Sequence, residues 1–408
     1  MLVPILKNKL KPATDSDNYR PIAIATAISK LIELVILDKC EHLLSTSDNQ
    51  FGFKKSHSTD LCIFSLKELV NYYNCHGSPV FICFLDIRKA FDRVNYTKLF
   101  QKLIARSVPR YIVKLLAFWY VNQRIMVRWG NTLSDPFSVK NGIKQGGLLS
   151  PHLFNLYVEK LTLNLNASNV GCTVSNIIVN HLSYADDMVL VAPSCKALQE
   201  LLHICSAYAV EYDILYSTDK SYCMICWPKK FLFKFVPRFY LQGDSLEFKS
   251  VFKYLGVFIN NKMSDDDEIK KSMRNIYATG NMVVRRFAAC SINCKILMFR
   301  TFLSQVYGCS LWASYKVTSY SKVKVAHNDV FRSLLQVPRY ESASALFVTH
   351  SVNNLDAVLR TNYYSLMNRV NNSNNVIVTS LRNSEARIHS RLWQRWSIAL
   401  GRDMVEVF

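Results

Sequence analysis

Three aspartates lie at the ends of strongly apolar runs, and their carboxylates are the groups in this sequence best suited to chemistry. Asp86 ends the run "VFICFLD", and Asp186 and Asp187 lie side by side in "HLSYADDMVLV". The apolar flanks predict buried strands, and one sheet could bring the three acids together. Crowded carboxylates repel each other unless a hard divalent cation lies between them. Such a cluster suits metal-assisted phosphoryl transfer, in which two Mg²⁺ ions about 4 Å apart serve the attacking hydroxyl and the leaving group.

Each of these acids also has a structural interpretation. Asp186 and Asp187 could form a hairpin tip, where Asp carboxylates accept hydrogen bonds from nearby backbone N–H groups. Asp86 could cap the helix-like stretch "RKAFDRVN". Asp92 is assigned a structural role, because it can pair with Arg88 one helical turn earlier. The residue types alone leave both interpretations of the three acids open.

The segments around these acids predict an α+β fold. Periodic apolar residues indicate helices over residues 60–73, 97–122 and 196–212. In "GIKQGGLLSP", three glycines precede Ser150 as the predicted N-cap and Pro151 as the first helical residue. Because strands and helices mix without strict alternation, the order favours an α+β sheet with helices on one side over a doubly wound fold.

Helical patterns also occupy both ends of the chain. The stretch 19–40 begins extended at an X-Pro step and continues as a helix with one apolar face. From Asp265 onward nearly every segment has a helical pattern, which predicts a separate, basic, helical domain. The run "NNSNN" at 371–375 is the predicted linker to a short tail rich in Arg and Trp. The apolar face of the first helix comprises Ile28, Leu31, Ile32 and Val35.

The charge of the chain points to a polyanionic partner. The 408 residues include 50 Lys and Arg against 30 Asp and Glu, a net charge of +20. Nucleic acid and anionic membrane both fit this excess. No apolar run approaches the about 20 residues that cross a bilayer, and the start "MLVPILKNKLKPATDSD" lacks a signal-peptide pattern. We therefore predict an intracellular protein that binds nucleic acid and no membrane.

The twelve cysteines predict reduced thiols rather than a disulfide framework, because they lie in apolar stretches. In "CMIC", Cys223 and Cys226 are three residues apart on a predicted strand and would face opposite ways. Cys290 and Cys294 have helical spacing and could share an ion, but no second pair or suitably spaced His follows. Buried thiols are the favoured interpretation.

Five motifs make the chain resemble a known family. In order they are "FLDIRKAFDRV", "GIKQGGLLSPHLFNLYVE", "YADDMVLV", "STDK" and "KYLGVFI". Their order and spacing resemble the palm motifs of reverse transcriptases, most closely the enzymes of non-LTR (LINE-type) retrotransposons. The earlier "NYRPIAIATAISKLIE" and "QFGFKKSHST" resemble fingers segments, and "VYGCSLWA" and "NDVFRSLLQVP" resemble the helical stretch beyond the palm.

This resemblance implies a right-hand polymerase fold with an all-α, thumb-like domain. It places partial fingers at 1–79, the palm at 80–262, a helical thumb or connection at 263–370, and a linker with a basic tail at 371–408. The family carries further fingers residues upstream, and usually an endonuclease domain before them. We therefore expect an N-terminally truncated chain without the endonuclease domain.

By position, the resemblance assigns the catalytic groups. It makes Asp86 and Asp186 metal ligands, with Asp187 beside them and the backbone carbonyl of Ile87 as an extra candidate ligand. The implied cofactor is a pair of Mg²⁺ ions, for which Mn²⁺ could substitute. Lys220, in "STDK", matches a lysine proposed as the general acid to the leaving pyrophosphate, a role that suits an ammonium near phosphate.

The resemblance also implies a nucleotide site. Phe91 matches the bulky residue that lies under the incoming sugar and rejects a 2′-hydroxyl. Gln145 and Gly146 match the loop that touches the incoming nucleotide and the template, where glycine allows close backbone approach. Arg20, and with it Lys7, match fingers residues that grip the triphosphate. Without the family, these would be a core Phe, a Gly-rich turn and surface cations.

The implied function is RNA-directed DNA polymerisation with an RNA template, a DNA primer and dNTPs. A catalytically inactive nucleic-acid-binding remnant of a truncated retrotransposon is the alternative, and a metal-dependent nuclease that uses the same acids is a third. The expected use of chromosomal DNA as primer predicts nuclear localisation, although no basic targeting cluster is evident. The sequence does not indicate an oligomeric state.

Overall fold

A five-stranded mixed sheet lies at the centre of the structure, a computed structural model that describes residues 1–230 and 235–401. The helices are α1 (Ala27–Cys40), α2 (Thr59–Cys75), α3 (Tyr96–Ala105), α4 (Arg110–Val121), α5 (Ser150–Ala167), α6 (Cys195–Glu211), α7 (Asp266–Arg286), α8 (Ile292–Phe302), α9 (Val317–Leu335), α10 (Ala343–Thr349), α11 (Leu355–Asn371), α12 (Val376–Arg382) and α13 (Arg391–Leu400). The strands are β1 (Leu2–Leu6), β2 (Tyr19–Ala23), β3 (Val80–Leu85), β4 (Arg124–Ile125), β5 (Arg128–Trp129), β6 (Thr132–Leu133), β7 (Phe137–Ser138), β8 (Cys172–Val174), β9 (Ile177–Val179), β10 (His181–Tyr184), β11 (Asp187–Ala192), β12 (Tyr222–Cys226), β13 (Tyr240–Leu241), β14 (Asp244–Ser245), β15 (Glu247–Phe248), β16 (Val251–Tyr254) and β17 (Val257–Asn260).

The central sheet has the strand order β10-β11-β3-β12-β15. Strand β3 runs antiparallel to β11 and β12, and only the edge pair β12–β15 is parallel. All six residues of β3 are buried. This agrees with the unbroken apolar run "VFICFL", since a strand covered on both faces carries apolar residues at every position.

Both faces of the sheet are covered, so the expectation of helices on one side is wrong. Phe81, Cys83 and Leu85 point to a core built with α3, α4, α5 and α6. The alternate residues Ile82 and Phe84 point to a second core, which contains α2 and the C-terminal helices. The apolar run of β3 needs cover on each side because successive side chains alternate between faces. The cysteines of "CMIC" follow the same rule and lie in different cores.

Two helix boundaries differ from the sequence prediction. The predicted helix over 97–122 is divided into α3 and α4, because Pro109 disfavours a helical conformation at the residue before it. Helix α5 begins one residue early, with Leu149 at the N-cap position and Ser150 already helical. Leu149 makes no side-chain cap hydrogen bond, so α5 takes its cap from elsewhere in the fold.

Helix α1 is oriented opposite to its apolar pattern. The face predicted from its periodicity is exposed, with Ile28 and Leu31 at 72% and 62% of their full accessibility. The buried residues of the helix are instead Glu33, Ile36 and Cys40. Tertiary contacts of these three residues, rather than hydrophobic periodicity, therefore set the rotation of α1.

The described part of the C-terminal segment, predicted as a linker and tail, packs against the rest of the fold. Asn375 caps α12 and also donates a hydrogen bond to the carbonyl of Asp48 at 2.8 Å. In α13, Trp393 and Trp396 are fully buried, and Trp396 stacks on Phe64 of α2 with ring centres 6.0 Å apart. The rest of the predicted tail, 402–408, lies outside the described residues. The other domain boundaries stay predictions.

From Asp266 to Leu400, the described residues form helices and connections without a strand, as their helical patterns predicted. Helices α7 and α9 pack along each other within the core that also contains α2. No helix in the described part of the chain combines the length and hydrophobicity needed to cross a bilayer.

Candidate active site

Asp86, Asp186 and Asp187, the carboxylate cluster, lie at one end of the central sheet. Asp86 follows the last residue of β3, and the turn between β10 and β11 contains Asp186. The antiparallel register pairs Leu85 with Met188. One residue further along this register, Asp86 stands opposite Asp187. The pairing of β3 with β11 therefore brings together acids that are about one hundred residues apart in the sequence.

A contact from the predicted fingers fixes the turn of the β10–β11 hairpin. Ala185 has a left-handed backbone, with φ of 57°. The side-chain oxygen of Gln50 accepts hydrogen bonds from the backbone N–H of Ala185 at 2.9 Å and of Gly52 at 2.8 Å. A Cβ at Gly52 would lie 2.4 Å from the Ala185 nitrogen. The segment "QFGF" thus supports the "YADD" turn, a role that the residue types alone did not suggest.

The electrostatics of the carboxylate cluster are those of crowded acids. Loss of hydration, and then the charge of Asp86, raises the pKa of Asp186. The same loss of hydration, followed by the charges of Asp186 and Asp86, raises the pKa of Asp187 to about 6. Arg20 opposes both shifts. The carboxylates of Asp186 and Asp187 are therefore held where negative charge is unfavourable unless a cation joins them.

The predicted phosphate-binding cations, Lys7, Arg20 and Lys220, form a basic cluster near these acids. Arg20 lies on β2, opposite Ile5 of β1, and Lys7 follows directly after β1. Burial, and then the charges of Lys220 and Arg20, lowers the pKa of Lys7. The Lys7 ammonium donates a hydrogen bond to the carbonyl of Asp17 at 2.8 Å. Three positive charges from two distant segments thus share one neighbourhood.

Hydrogen bonds to the backbone of Asp86 hold the turn that carries Lys220. The N–H of Ser217 donates to the Asp86 carbonyl at 2.8 Å, and the N–H of Asp86 donates to Ser221 Oγ at 3.1 Å. Ile87 and Tyr216 face each other in an isolated antiparallel bridge. The hydrogen bonds on either side of this bridge are made by the Asp86 carbonyl and the Arg88 N–H. The Ile87 carbonyl is therefore directed away from Tyr216.

Residues 142–149 form the glycine loop, which places Gln145 and Gly146 beside Phe91. The N–H of Ile143 donates to the Phe91 carbonyl at 2.8 Å, and the Gln145 carbonyl accepts from the N–H of Ala23 at 2.7 Å. Gly146 has φ of 114°, and a Cβ there would lie 2.8 Å from the Ala23 carbonyl oxygen. The predicted glycine requirement at 146 is therefore a real steric constraint.

One aromatic stack and one side-chain hydrogen bond lie beside the glycine loop. The Phe91 ring stacks on Phe154 of α5, with ring centres 5.0 Å apart. The spacing of Asp92 and Arg88 predicted an ion pair between them, and the structure does not contain that pair. The Asp92 carboxylate accepts a hydrogen bond from the side-chain amide of Gln145 at 3.1 Å, and Arg88 bonds Asp17 instead. The chain turns through a short 3₁₀ helix at Phe91–Arg93, which removes the α-helical spacing on which that prediction depended.

The donor set of the carboxylate cluster fits a hard divalent cation. Its ligands are oxygens, and their mutual repulsion would be relieved by a positive ion. Within residues 1–230 and 235–401, no three His, Cys, Asp or Glu side chains are arranged to hold an ion by themselves. Mg²⁺ sites on phosphate substrates commonly use one or two carboxylates and complete their shell with waters and substrate oxygens. Asp86 and Asp186 meet that requirement.

Comparison with known proteins identifies the family. The family model described as reverse transcriptase (RNA-dependent DNA polymerase) matches residues 5–259, a range that contains the carboxylate cluster, the basic cluster and the glycine loop. The chain belongs to the reverse transcriptase family. The α+β fold class and the right-hand polymerase architecture predicted from the motifs are confirmed. Reverse transcriptases generally use divalent metal ions.

Curated relatives agree with this assignment. The probable RNA-directed DNA polymerase from transposon BS of Drosophila melanogaster is 24% identical, over 82% of this chain and 38% of that protein. The RNA-directed DNA polymerase from mobile element jockey of Drosophila funebris is 25% identical, over 83% of this chain and 38% of that protein. The predicted relationship to reverse transcriptases of non-LTR retrotransposons is thereby confirmed. The chain spans less than two fifths of the length of these two relatives.

Among solved structures, apo telomerase from Candida tropicalis matches this reverse transcriptase chain with a TM-score of 0.44 and 11% identity. The match covers 92% of this chain and 57% of the telomerase chain. This likeness is too distant to bear on function.

Proposed function

We propose that this chain is an RNA-directed DNA polymerase that extends a primer 3′-hydroxyl with dNTPs on an RNA template. The observation that carries the proposal is the meeting of the carboxylate cluster with the basic cluster at one end of the sheet. Phosphoryl transfer needs little from a protein beyond positioned metal ligands and positive charge. Membership of the reverse transcriptase family supports this choice over other phosphoryl transfers.

The carboxylates would hold the metal ions of this reaction. When bound, two Mg²⁺ ions, or Mn²⁺ in their place, would supply positive charge to the attacking hydroxyl and to the leaving pyrophosphate. Asp86 and Asp186 would provide carboxylate oxygens, and the Ile87 carbonyl would add a backbone oxygen. Asp187 would increase the negative potential that attracts the ions.

The basic cluster binds the triphosphate of the incoming nucleotide. Arg20 presents a planar guanidinium, which matches phosphate oxygens in two-point contacts. Lys7 adds a second positive charge from the other strand of the hairpin. Lys220 donates a proton to the leaving pyrophosphate, from a turn that is anchored to the backbone of Asp86. The metal ligand and the proton donor are thus connected through one set of hydrogen bonds.

Phe91 and the glycine loop select the sugar and align the base pair. The Phe91 ring, held against Phe154, lies under the sugar and excludes a 2′-hydroxyl. Gln145 and Gly146 approach the nucleotide and the template with their backbone. These contacts select dNTPs on a template rather than free ribonucleotides.

Primer extension tests the proposal. The chain is given a synthetic RNA template, an annealed DNA primer, dNTPs and Mg²⁺, and is compared with its Asp186→Asn and Asp135→Asn variants. Asp135 is an exposed aspartate outside the carboxylate cluster, so it is a matched control for loss of one carboxylate. We expect extension by the parent and by Asp135→Asn, and a loss of at least about a hundredfold in Asp186→Asn.

Two results would contradict the proposal. If Asp186→Asn still extends the primer, the metal site does not lie at the "YADD" turn. If the parent and Asp186→Asn both bind the primer but neither extends it, the chain is a nucleic-acid-binding remnant without catalysis.

We also propose a nuclear location, since a chromosomal DNA primer would be used there. Imaging of a fluorescently tagged chain in cells tests this separately. Exclusion from the nucleus would contradict it without affecting the polymerase assignment.

A further inference from the structure

Glu33 is a buried carboxylate in a helix whose apolar face is exposed. Its accessibility is 3%, whereas Ile28 and Leu31 on the same helix are mostly exposed. A buried carboxylate is unfavourable unless hydrogen bonds and opposite charge compensate it. The groups that Glu33 binds therefore contribute, with buried Ile36 and Cys40, to the orientation of the helix.

The partners of Glu33 are backbone groups at the start of α5. Its Oε2 accepts hydrogen bonds from the N–H of Leu148 and from the N–H of Leu149, the latter at 3.3 Å. Helix α5 has no side-chain cap at Leu149 and no acidic residue in its first turn. A carboxylate at a helix N-terminus satisfies unpaired N–H groups and interacts favourably with the helix dipole. Glu33 thus supplies, from α1, the cap that α5 lacks.

Two neighbours in the glycine loop are adapted to this carboxylate. A Cβ at Gly147 would lie 2.7 Å from Ser150 Oγ and 3.3 Å from Glu33 Oε2, so a larger residue would disturb the approach of the backbone. Lys144 lies with its ammonium 4.4 Å from the centre of the Trp119 ring. Burial lowers the pKa of Lys144, and the charge of Glu33 opposes this shift. The negative charge of Glu33 is therefore balanced within the loop that it holds.

The contacts of the glycine loop divide between its two ends. Phe91, Asp92 and Ala23 hold the part that contains Ile143 and Gln145. Glu33 holds the part that leads into α5. We propose that Glu33 is a positioning residue, whose carboxylate fixes residues 147–149 and thereby sets where Gln145 and Gly146 face the incoming nucleotide. The inference rests on the proposed polymerase function, because that function gives Gln145 and Gly146 their ligand.

Single-nucleotide primer extension separates positioning from simple loss of folding. We expect Glu33→Ala to raise the KM for dNTP by about tenfold to about a hundredfold, with a smaller fall in kcat, because misplaced contacts weaken nucleotide binding. Glu33→Gln keeps an acceptor oxygen and should return the KM to within about threefold of the parent value. Asp38→Ala, which removes an exposed carboxylate from the same helix, should match the parent.

Three kinetic results would overturn the proposal. A lower kcat at an unchanged KM in Glu33→Ala would mean only that less protein is folded. A Glu33→Gln enzyme no better than Glu33→Ala would remove the hydrogen-bonding role. An equal increase in the KM for dNTP in Asp38→Ala would show that the effect is not specific to the Glu33 carboxylate.

Amide hydrogen exchange tests the same inference without activity, so it decides even if the parent extends no primer. In Glu33→Ala, we expect faster exchange at Leu148 and Leu149 and parent-like exchange in β3 and α6. Parent-like exchange at Leu148 and Leu149, or acceleration throughout the chain, would overturn the positioning role. If the parent extends no primer but Glu33→Ala shows faster exchange only at Leu148 and Leu149, the polymerase function is rejected and the positioning role of Glu33 in the loop is retained.

Discussion

At the scale of single residues, Asp187 best illustrates how the fold changes a side chain. An ordinary aspartate has a pKa near 3.8, and that of Asp187 is raised to about 6 by loss of hydration and by Asp186 and Asp86. The cause is the β3–β11 register, which places the three acids at one end of the sheet. Loss of hydration and the two neighbouring charges together make the ionised carboxylate unfavourable, and a bound cation would relieve the repulsion.

The shift predicts how stability depends on pH. Between about pH 4 and 6 the folded chain holds a proton on Asp187 that the unfolded chain releases, so the stabilising contribution of the protonated group is lost as pH rises through this window. We expect Asp187→Asn to melt at a higher temperature than the parent at about pH 8 without metal. We also expect Mg²⁺ to raise the melting temperature of the parent more than that of the variant.

Thermal unfolding at about pH 5 and about pH 8, with and without Mg²⁺, measures both effects. Asp135→Asn serves as the control and should behave as the parent does. Equal melting temperatures for the parent and Asp187→Asn in all conditions would contradict the repulsion and the metal role together.

At the scale of elements, the contact between α2 and α13 joins distant parts of the chain. Trp396 stacks on Phe64, and its indole N–H donates to the carbonyl of Ser310 at 3.4 Å. Nearby, Lys67 of α2 forms a buried salt bridge with Asp265, directly before α7. The helices after β17 are thus packed against α2 and the sheet in one continuous core.

We expect Trp396→Ala to lower the free energy of unfolding by about 3–5 kcal/mol, because it removes a large, fully buried ring. Ile398 lies on the same helix and is 75% exposed, so Ile398→Ala is the matched control and should change stability little. Denaturant titration followed by circular dichroism measures the difference. A Trp396→Ala variant as stable as Ile398→Ala would show that α13 does not contribute to the core.

At the scale of the whole molecule, the net charge of +20 acts over the entire surface. Binding through phosphate contacts releases counterions, so the affinity falls with salt in proportion to the number of contacts. The charge has little use for sequence recognition, because phosphates carry no sequence information. Under the proposed function, this charge would hold template and primer of any sequence.

We expect the affinity for a primer–template duplex to fall by at least about a hundredfold between about 50 and 200 mM salt. Two duplexes of unrelated sequence should give the same slope in fluorescence anisotropy titrations. A shallow slope, or a large difference between the two sequences, would contradict this use of the charge.

Local patterns in the sequence determined the positions of the acids and of the strands before them. The run "VFICFL" must be buried, and an ionisable residue is tolerated only where such a run ends, as at Asp86. The "YADD" turn follows the same rule on the neighbouring hairpin. These features depend on residues close together in the chain, so their spacing could predict them.

Tertiary structure alone decided the contacts between distant residues. Asp92 binds Gln145 instead of Arg88, Glu33 is buried while its apolar neighbours are exposed, and the side-chain amide of Asn375 donates a hydrogen bond to the Asp48 carbonyl. In each case the partner lies more than fifty residues away or the helix faces a distant segment. Hydrophobic periodicity and residue spacing describe only the nearest turns of the chain, whereas these positions are set by hydrogen bonds that exist only after the sheet and the helices have packed.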